Sequence, residues 1–207
     1  MIKRAYSIAS SSKERGHIEF FVALVHSGSL TPRLFALRAG DPVYLSPRIV
    51  GMFTLDKAPR DRHVVMVATG TGLAPYISML RTHLDCGGPR RFTVLLGARH
   101  SWDLGYHGEL MALGHDCGNF HYVPTISRPG EEPSPWSGRV GYVQDLWSGG
   151  VIEQAWGFTP TPENCHVFLC GNPKMVETML ERLSGAGFLE YHARKQPGGQ
   201  VHTEKYW

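Results

Sequence analysis

His63-Val64-Val65-Met66-Val67-Ala68-Thr69-Gly70-Thr71-Gly72-Leu73-Ala74-Pro75 passes from an unbroken apolar run into a Gly/Thr turn and then toward a helix starting near Tyr76. The run is short, β-branched and apolar at successive positions. That is the pattern of a strand covered by helices on both faces, which is how a parallel sheet begins. Gly70 and Gly72 permit a tight turn and leave bare N–H groups for a bulky anion, while Pro75 suits the first helical turn, where its missing donor is not needed. The positive end of the helix dipole faces the turn, so a diphosphate is the anion expected there. The spacing is neither G-x-G-x-x-G nor the lysine-bearing P-loop, and a purely structural βα turn stays open at this point.

From His63 onward strands alternate with helices. The strands read as Val64–Ala68, Phe92–Leu96, His121–Thr125 and His166–Leu169, and the helices fall near Pro75–Leu84, Gly108–Leu113, Tyr142–Leu146 and Lys174–Ser184. This alternation predicts a doubly wound parallel α/β sheet. The last helix is the clearest, with Met175, Val176, Met179, Leu180 and Leu183 on one stripe. Phe188 to Tyr191 reads as a further edge strand.

The residues before His63 read differently. Ala5–Ala9, Ile18–Val25, Val43–Leu45 and Met52–Leu55 are short strand-like runs separated by Gly- and Pro-containing turns, the pattern of antiparallel β. Between them Leu30, Leu34 and Leu37 recur at helical spacing, with Thr31 as the expected N-cap, Pro32 in the first turn and Gly40-Asp41 as the stop. Asp56 to Arg62, charged and carrying Pro59, is the best boundary, which divides the chain into 1–58 and 59–207.

Composition sets outer limits. With 207 residues, 42% hydrophobic and 19% charged, the chain is long enough to bury a substantial core. A net charge of +3 from dispersed basic residues does not imply nucleic acid, though a modest basic face suits an acidic protein partner. Cys86, Cys117, Cys165 and Cys170 form no C-x-x-C pair and follow no signal peptide, so they read as reduced thiols of a cytoplasmic protein. No apolar run approaches the roughly 18 residues of a membrane span. The histidines lack zinc-site spacing, and no metal is expected.

In an open parallel sheet, ligands bind beyond the carboxyl ends of the strands. Those ends carry Thr69-Gly70-Thr71-Gly72, Gly97-Ala98-Arg99, Ser127-Arg128 and Cys170-Gly171-Asn172-Pro173. The planar guanidinium fork suits phosphate oxygens, so Arg99, Arg128 and Arg139 are candidates for a phosphate beyond the diphosphate.

Arg4-Ala5-Tyr6-Ser7, Gly28-Ser29-Leu30-Thr31-Pro32-Arg33-Leu34, Ala68 to Pro75, Cys170-Gly171-Asn172-Pro173-Lys174-Met175-Val176 and the terminal Tyr206-Trp207 together resemble the bacterial ferredoxin (flavodoxin)–NADP reductases. The order and spacing match from residue 4 to the last. The resemblance implies an all-β FAD-binding barrel followed by the NADP-binding α/β domain, with the terminal tail returning to the flavin. Only Met1, Ile2 and Lys3 precede the arginine-tyrosine-serine motif, where family members carry a strand-rich stretch, so the barrel is expected to be incomplete at its amino end.

The same resemblance implies residue roles. Arg4 would pair with the FAD diphosphate, Tyr6 would stack on the isoalloxazine beside Ala5, and Ser7 would hydrogen-bond near the flavin nitrogen that accepts hydride. Phe21 and the Ser29-Leu30-Thr31 turn would line the rest of FAD. Thr71, between Gly70 and Gly72, would touch both flavin and nucleotide. Arg99, Ser127, Arg128 and Arg139 would hold the adenosine 2′-phosphate, which makes the nucleotide NADP. Cys170 would lie beside the nicotinamide, followed by Gly171, Asn172 and Pro173, and Tyr206 and Trp207 would cover the flavin. The implied activity is electron transfer between NADPH and ferredoxin or flavodoxin through FAD, by a monomer, with Tyr6, Ser7, Cys170 and Trp207 at the reacting rings. A reductase serving another acceptor, such as an oxygenase, and a nucleotide-binding chain without flavin activity stand as alternatives.

Overall fold

A computed structural model describes residues 2–205; Met1, Tyr206 and Trp207 lie outside the described residues. The opening stretch forms β1 (His63–Thr69), whose five central residues are all buried. Val64, Met66 and Ala68 join one apolar cluster, Val65 and Val67 the other, so both faces of the strand are covered. Each fully buried large apolar side chain there contributes roughly 1.5–3 kcal/mol.

Around β1 lie β2 (Phe92–Ala98), β3 (Phe120–Ile126), β4 (Arg139–Val140), β5 (Cys165–Gly171) and β6 (Val201–Lys205), all parallel, in the order β4-β3-β2-β1-β5-β6. The first face is packed by α2 (Ala74–His83) and α3 (His107–Asp116), the second by α4 (Val143–Ser148), α5 (Val151–Trp156) and α6 (Pro173–Gly185). Strand order runs outward from β1 to β4 and then returns to place β5 on the other side of β1. The switch point therefore lies between β1 and β5, where the turns after both strands meet. The expected strands and helices of this half are present with ends shifted by one to three residues, mostly outward, although α2 ends one residue before Leu84 and α4 begins one residue after Tyr142. The helix α5 and the two-residue β4 are additions.

Three expectations are corrected. Ala5–Ala9, Ile18–Val25, Val43–Leu45 and Met52–Leu55 form no strands among the described residues; the sole antiparallel pairing there is the bridge Ile8↔Phe20. The barrel expected for 1–58 is thus not formed among the described residues. Strand propensity becomes a strand only when neighbours take up both rows of backbone groups, and residues 35–52 are exposed throughout, with Tyr44 and Val50 at 86% and 76%. The expected Leu30–Leu37 helix shrinks to α1 (Thr31–Phe35), which buries no residue. Leu30 occupies its N-cap position, because Thr31 Oγ1 instead accepts the Val25 N–H at 3.0 Å and donates to the Val25 carbonyl at 3.1 Å. Finally, the edge strand is Val201–Lys205, and Phe188 to Tyr191 contributes a single bridge, Glu190↔Val201.

Cysteine pairing is corrected as well. Cys86 and Cys117 form a disulfide, with Cα atoms 4.6 Å apart, while Cys165 and Cys170 stay buried thiols. A separation of 31 residues carries no pairing signal in sequence; the fold creates it by returning the end of α3 to the loop after α2. Asn119 grips the same loop, its side-chain nitrogen donating to the carbonyls of Asp85, Gly88 and Arg90 at 2.7, 3.1 and 2.9 Å. Because Asn119 already restrains the loop, reduction is expected to lower stability by about 2 kcal/mol, the low end for a loop of this length. Melting with and without a dithiol reductant measures it, and an unchanged midpoint would show the bridge to be energetically idle.

Candidate active site

Two turns face each other at the switch point. The first, Gly70–Leu73, is a single 3-10 turn leading directly into α2, with Gly70 at φ +54°. A Cβ on Gly70 would meet nothing within 4 Å, so the backbone before the α2 N-terminus is open to an anion. Gly72 is different: a Cβ there would stand 2.3 Å from the Cys170 carbonyl oxygen. Its bareness serves the approach of the second turn, not that of an anion. Thr71 is half-buried between them.

The second turn follows β5. Gly171 adopts φ +132°, and Asn172 caps α6 by accepting the Lys174 N–H at 2.9 Å, with Pro173 in the first helical turn. The register of β5 on β6 pairs Cys170 with Glu204. Cys170, fully buried, directs its Sγ to Glu204 Oε2 at 3.8 Å, and Ser7 Oγ donates to the same oxygen at 3.3 Å. A hydroxyl from the amino-terminal segment and a thiol from the sheet thus converge on one carboxylate. Ser7 and Cys170 belong to the expected set. Glu204 does not; it is placed there by the register of β6 on β5, which no pattern in the sequence marks.

Ser7 is held from α2. Ser78 Oγ donates to the Ser10 carbonyl at 2.7 Å and Arg81 Nη1 to the Ala9 carbonyl at 3.3 Å. Arg81 also takes Glu109 in a two-point pair at 2.8 Å each and Glu19 at 2.9 Å, and these carboxylates, Glu109 foremost, raise its pKa. The Tyr106 hydroxyl donates to Glu19, whose pKa it lowers. Phe21 packs its ring edge-on to Tyr106, centroids 5.4 Å apart, and fills the space where Gly105 lacks a side chain. It therefore serves as a docking residue between the segment and α3. Arg4 and Ala5 are exposed and Tyr6 half-buried, with Arg4 Nη1 on the Lys3 carbonyl at 2.8 Å. Ser29 is exposed, Leu30 half-buried, and Thr31 is engaged with Val25.

The expected phosphate set also comes together. Ser127 N–H donates to the Ala98 carbonyl and Arg128 N–H to the Arg99 carbonyl, both at 3.0 Å, so pairing of β2 with β3 continues past their ends and sets Arg99 beside Arg128. Arg139 opens β4 opposite Thr125. All three arginines are exposed; Arg128 forms a loose pair with Glu131 at 3.4 Å, a contact of little energetic weight. Next to them His100 bonds Glu131 at 2.8 Å and Asp103 at 3.1 Å; Glu131 first and Asp103 second raise its pKa. Tyr206 and Trp207 lie outside the described residues.

Residues 66–181 match the oxidoreductase NAD-binding domain family, and residues 1–48 match the oxidoreductase FAD-binding domain family. Over its full length the chain is 32% identical to the flavodoxin/ferredoxin–NADP reductase of Escherichia coli, of which it covers 81%. The chain belongs to the ferredoxin/flavodoxin–NADP reductase family. Ferredoxin–NADP reductase B of Sorangium cellulosum is 37% identical over 99% of this chain and 78% of its own. Among solved structures, a ferredoxin NADP+ reductase from Neisseria gonorrhoeae with bound FAD and NADP superposes with a TM-score of 0.82, at 26% identity, over 98% of this chain and 79% of that one. Family membership makes the chain an oxidoreductase with FAD- and NAD-binding regions, and no helix among the described residues is long and apolar enough to cross a membrane.

Proposed function

We propose that this ferredoxin/flavodoxin–NADP reductase relative takes electrons from NADPH onto FAD and passes them to a ferredoxin or flavodoxin, with 1–58 serving the flavin and 59–207 the nucleotide. The observation that carries it is the meeting of Ser7 and Cys170 on Glu204, which joins the flavin segment to the sheet at the switch point. FAD, when bound, would supply acceptance of one hydride and release of its two electrons singly. The residues present fit the two groups: an open turn at the α2 N-terminus for the diphosphate of the nucleotide, and Ser7 of the flavin segment set close to Cys170 of the sheet through Glu204.

The chain's own residues bind, orient and manage a proton. Glu204 accepts a hydrogen bond from Ser7 and so fixes which way that hydroxyl points. Cys170 contributes a small, polarizable sulfur beside Glu204, of the kind that can lie against a ring. The α2 N-terminus takes the diphosphate, and Arg99, Ser127, Arg128 and Arg139 take the 2′-phosphate. Arg4, Ala5, Tyr6, Phe21, Ser29, Leu30 and Thr31 remain the proposed flavin-side contacts, and Tyr206 and Trp207 the proposed cover.

With FAD supplied, NADPH should bleach the flavin absorbance faster than NADH. A charged hydrogen bond contributes about 1.5–3 kcal/mol, so Arg128→Ala is expected to reduce the NADPH preference roughly tenfold or more. An unchanged ratio would remove Arg128 from the phosphate set, and no NADPH-dependent bleaching in the unaltered chain would sink the function.

A further inference from the structure

Thr69 ends the central strand, with Gly97 of β2 beside it in register and Gly171 of β5 pressed against its side chain: a Cβ on Gly171 would stand 2.3 Å from Thr69 Oγ1. Thr69 holds the N-cap position of the Gly70–Leu73 turn in extended conformation, φ −128° and ψ 136°. A threonine placed there ordinarily accepts an N–H from its own turn. This one makes no such bond. Its hydroxyl instead accepts the Asn172 N–H at 2.8 Å, reaching across 103 residues to the mouth of α6.

Asn172 is itself the cap of α6, through its side chain on Lys174 N–H and its carbonyl on Val176 N–H. Its own N–H lies outside any helical bond, and Thr69 is the group that satisfies it. Two more contacts close the same seam: the Cys170 carbonyl against bare Gly72, and Gly171 against the Thr69 backbone. The walls of the crevice are therefore tied by one hydrogen bond and two glycine approaches, and the bond is the element with a direction.

We infer that Thr69 is a positioning residue for nucleotide binding: its hydroxyl fixes the Cys170-Gly171-Asn172 turn against the Gly70–Leu73 turn, so that the crevice between them is formed before a nucleotide enters. This rests on the NADP assignment above. A side chain that only filled space would be replaced equally well by valine, whereas a positioning acceptor is replaced by serine and not by valine. Loss of the acceptor leaves the Asn172 N–H unpaired and frees the turn to rotate, which weakens binding by a preformed site.

The test is titration calorimetry of NADP+ into the unaltered chain, Thr69→Ser and Thr69→Val, with melting points for each. Thr69→Ser should bind within about twofold to threefold of the unaltered chain, and Thr69→Val roughly tenfold or more weaker at a similar melting point. If Thr69→Val does not fold, Thr69→Ala, which removes the oxygen without placing a methyl against Gly171, carries the same expectation. Equal binding by the valine or alanine variant, or failure of the serine variant to retain binding, overturns the role of Thr69 while leaving the NADP assignment intact. No NADP+ binding by the unaltered chain overturns both.

Discussion

Gly72→Ala is expected to destabilise the protein by about 3 kcal/mol, the upper range for forced overpacking, and more than Gly70→Ala, although of the two only Gly70 has a positive φ. At Gly70 an alanine meets no atom within 4 Å, so the cost is the left-handed backbone alone, roughly 1–2 kcal/mol. At Gly72 the backbone is ordinary, but the new methyl would enter the carbonyl of Cys170, with oxygen at 2.3 Å and carbon at 2.6 Å. Backbone atoms at the end of a central strand cannot step aside as a flexible side chain would. For a chain of this size the difference in melting temperature between the variants should be on the order of 3–6 °C, with Gly72→Ala lower. The reverse order would mean that the seam between the turns opens easily. Because the same seam forms the crevice, Gly72→Ala should also weaken NADP+ binding, whereas Gly70→Ala should affect it only by intruding on the anion.

These two glycines also mark how far the sequence could be read. That the turn after β1 is tight was legible from Gly70 and Gly72. That one bare position faces an open helix terminus and the other faces Cys170 was not, because the second partner lies 98 positions further along the chain. The α/β half was legible strand by strand, since β1, β2 and β5 are buried on both faces and announce themselves as apolar runs, while β3 is half-buried through its centre. β4 and β6 were not. Arg139–Val140 is too short to show a period, and β6 holds a single aliphatic residue, Val201, followed by polar ones at a sheet edge, with no alternation of burial.

The amino-terminal segment failed in the opposite direction. Its β-rich composition is real, but Val43, Tyr44, Leu45, Ile49 and Val50 remain exposed, and a strand cannot form against solvent alone. Local propensity therefore overstated the structure. What holds the segment in place was equally hidden: the grip of Ser78 and Arg81 on the carbonyls of Ser10 and Ala9 depends on α2 side chains whose partners lie about 70 residues earlier. Ser7 was legible only through a motif, and Glu204 became visible only once β6 was paired in register with β5.

The largest pH effect is expected from His166 and His202, which no motif singled out. Both are buried, on β5 and β6, with His166 Nδ1 and His202 Nε2 3.0 Å apart, and His202 stacks on Phe168 with centroids 4.4 Å apart. Burial, followed by the charges of Arg90 and Arg62, lowers the His166 pKa to about 4; burial, followed by His166 itself and then Lys57, lowers that of His202 to about 3. Their unfolded value is near 6.5, so above that pH neither state is charged and the pair contributes its full stability. As pH falls below 6.5 the unfolded chain binds protons that the folded one refuses, and stability drops by roughly 1.4 kcal/mol per pH unit for each imidazole until its folded pKa is reached. Denaturant unfolding at pH 7.5, 6.0 and 5.0 should therefore show a steep loss. In His202→Phe, which keeps the stack on Phe168, the slope should be shallower by about one proton. His63, His83 and His121 are also lowered by burial and remain in the variant, so the difference between the two slopes isolates His202. Parallel slopes would show that the buried pair already accepts a proton in the folded state.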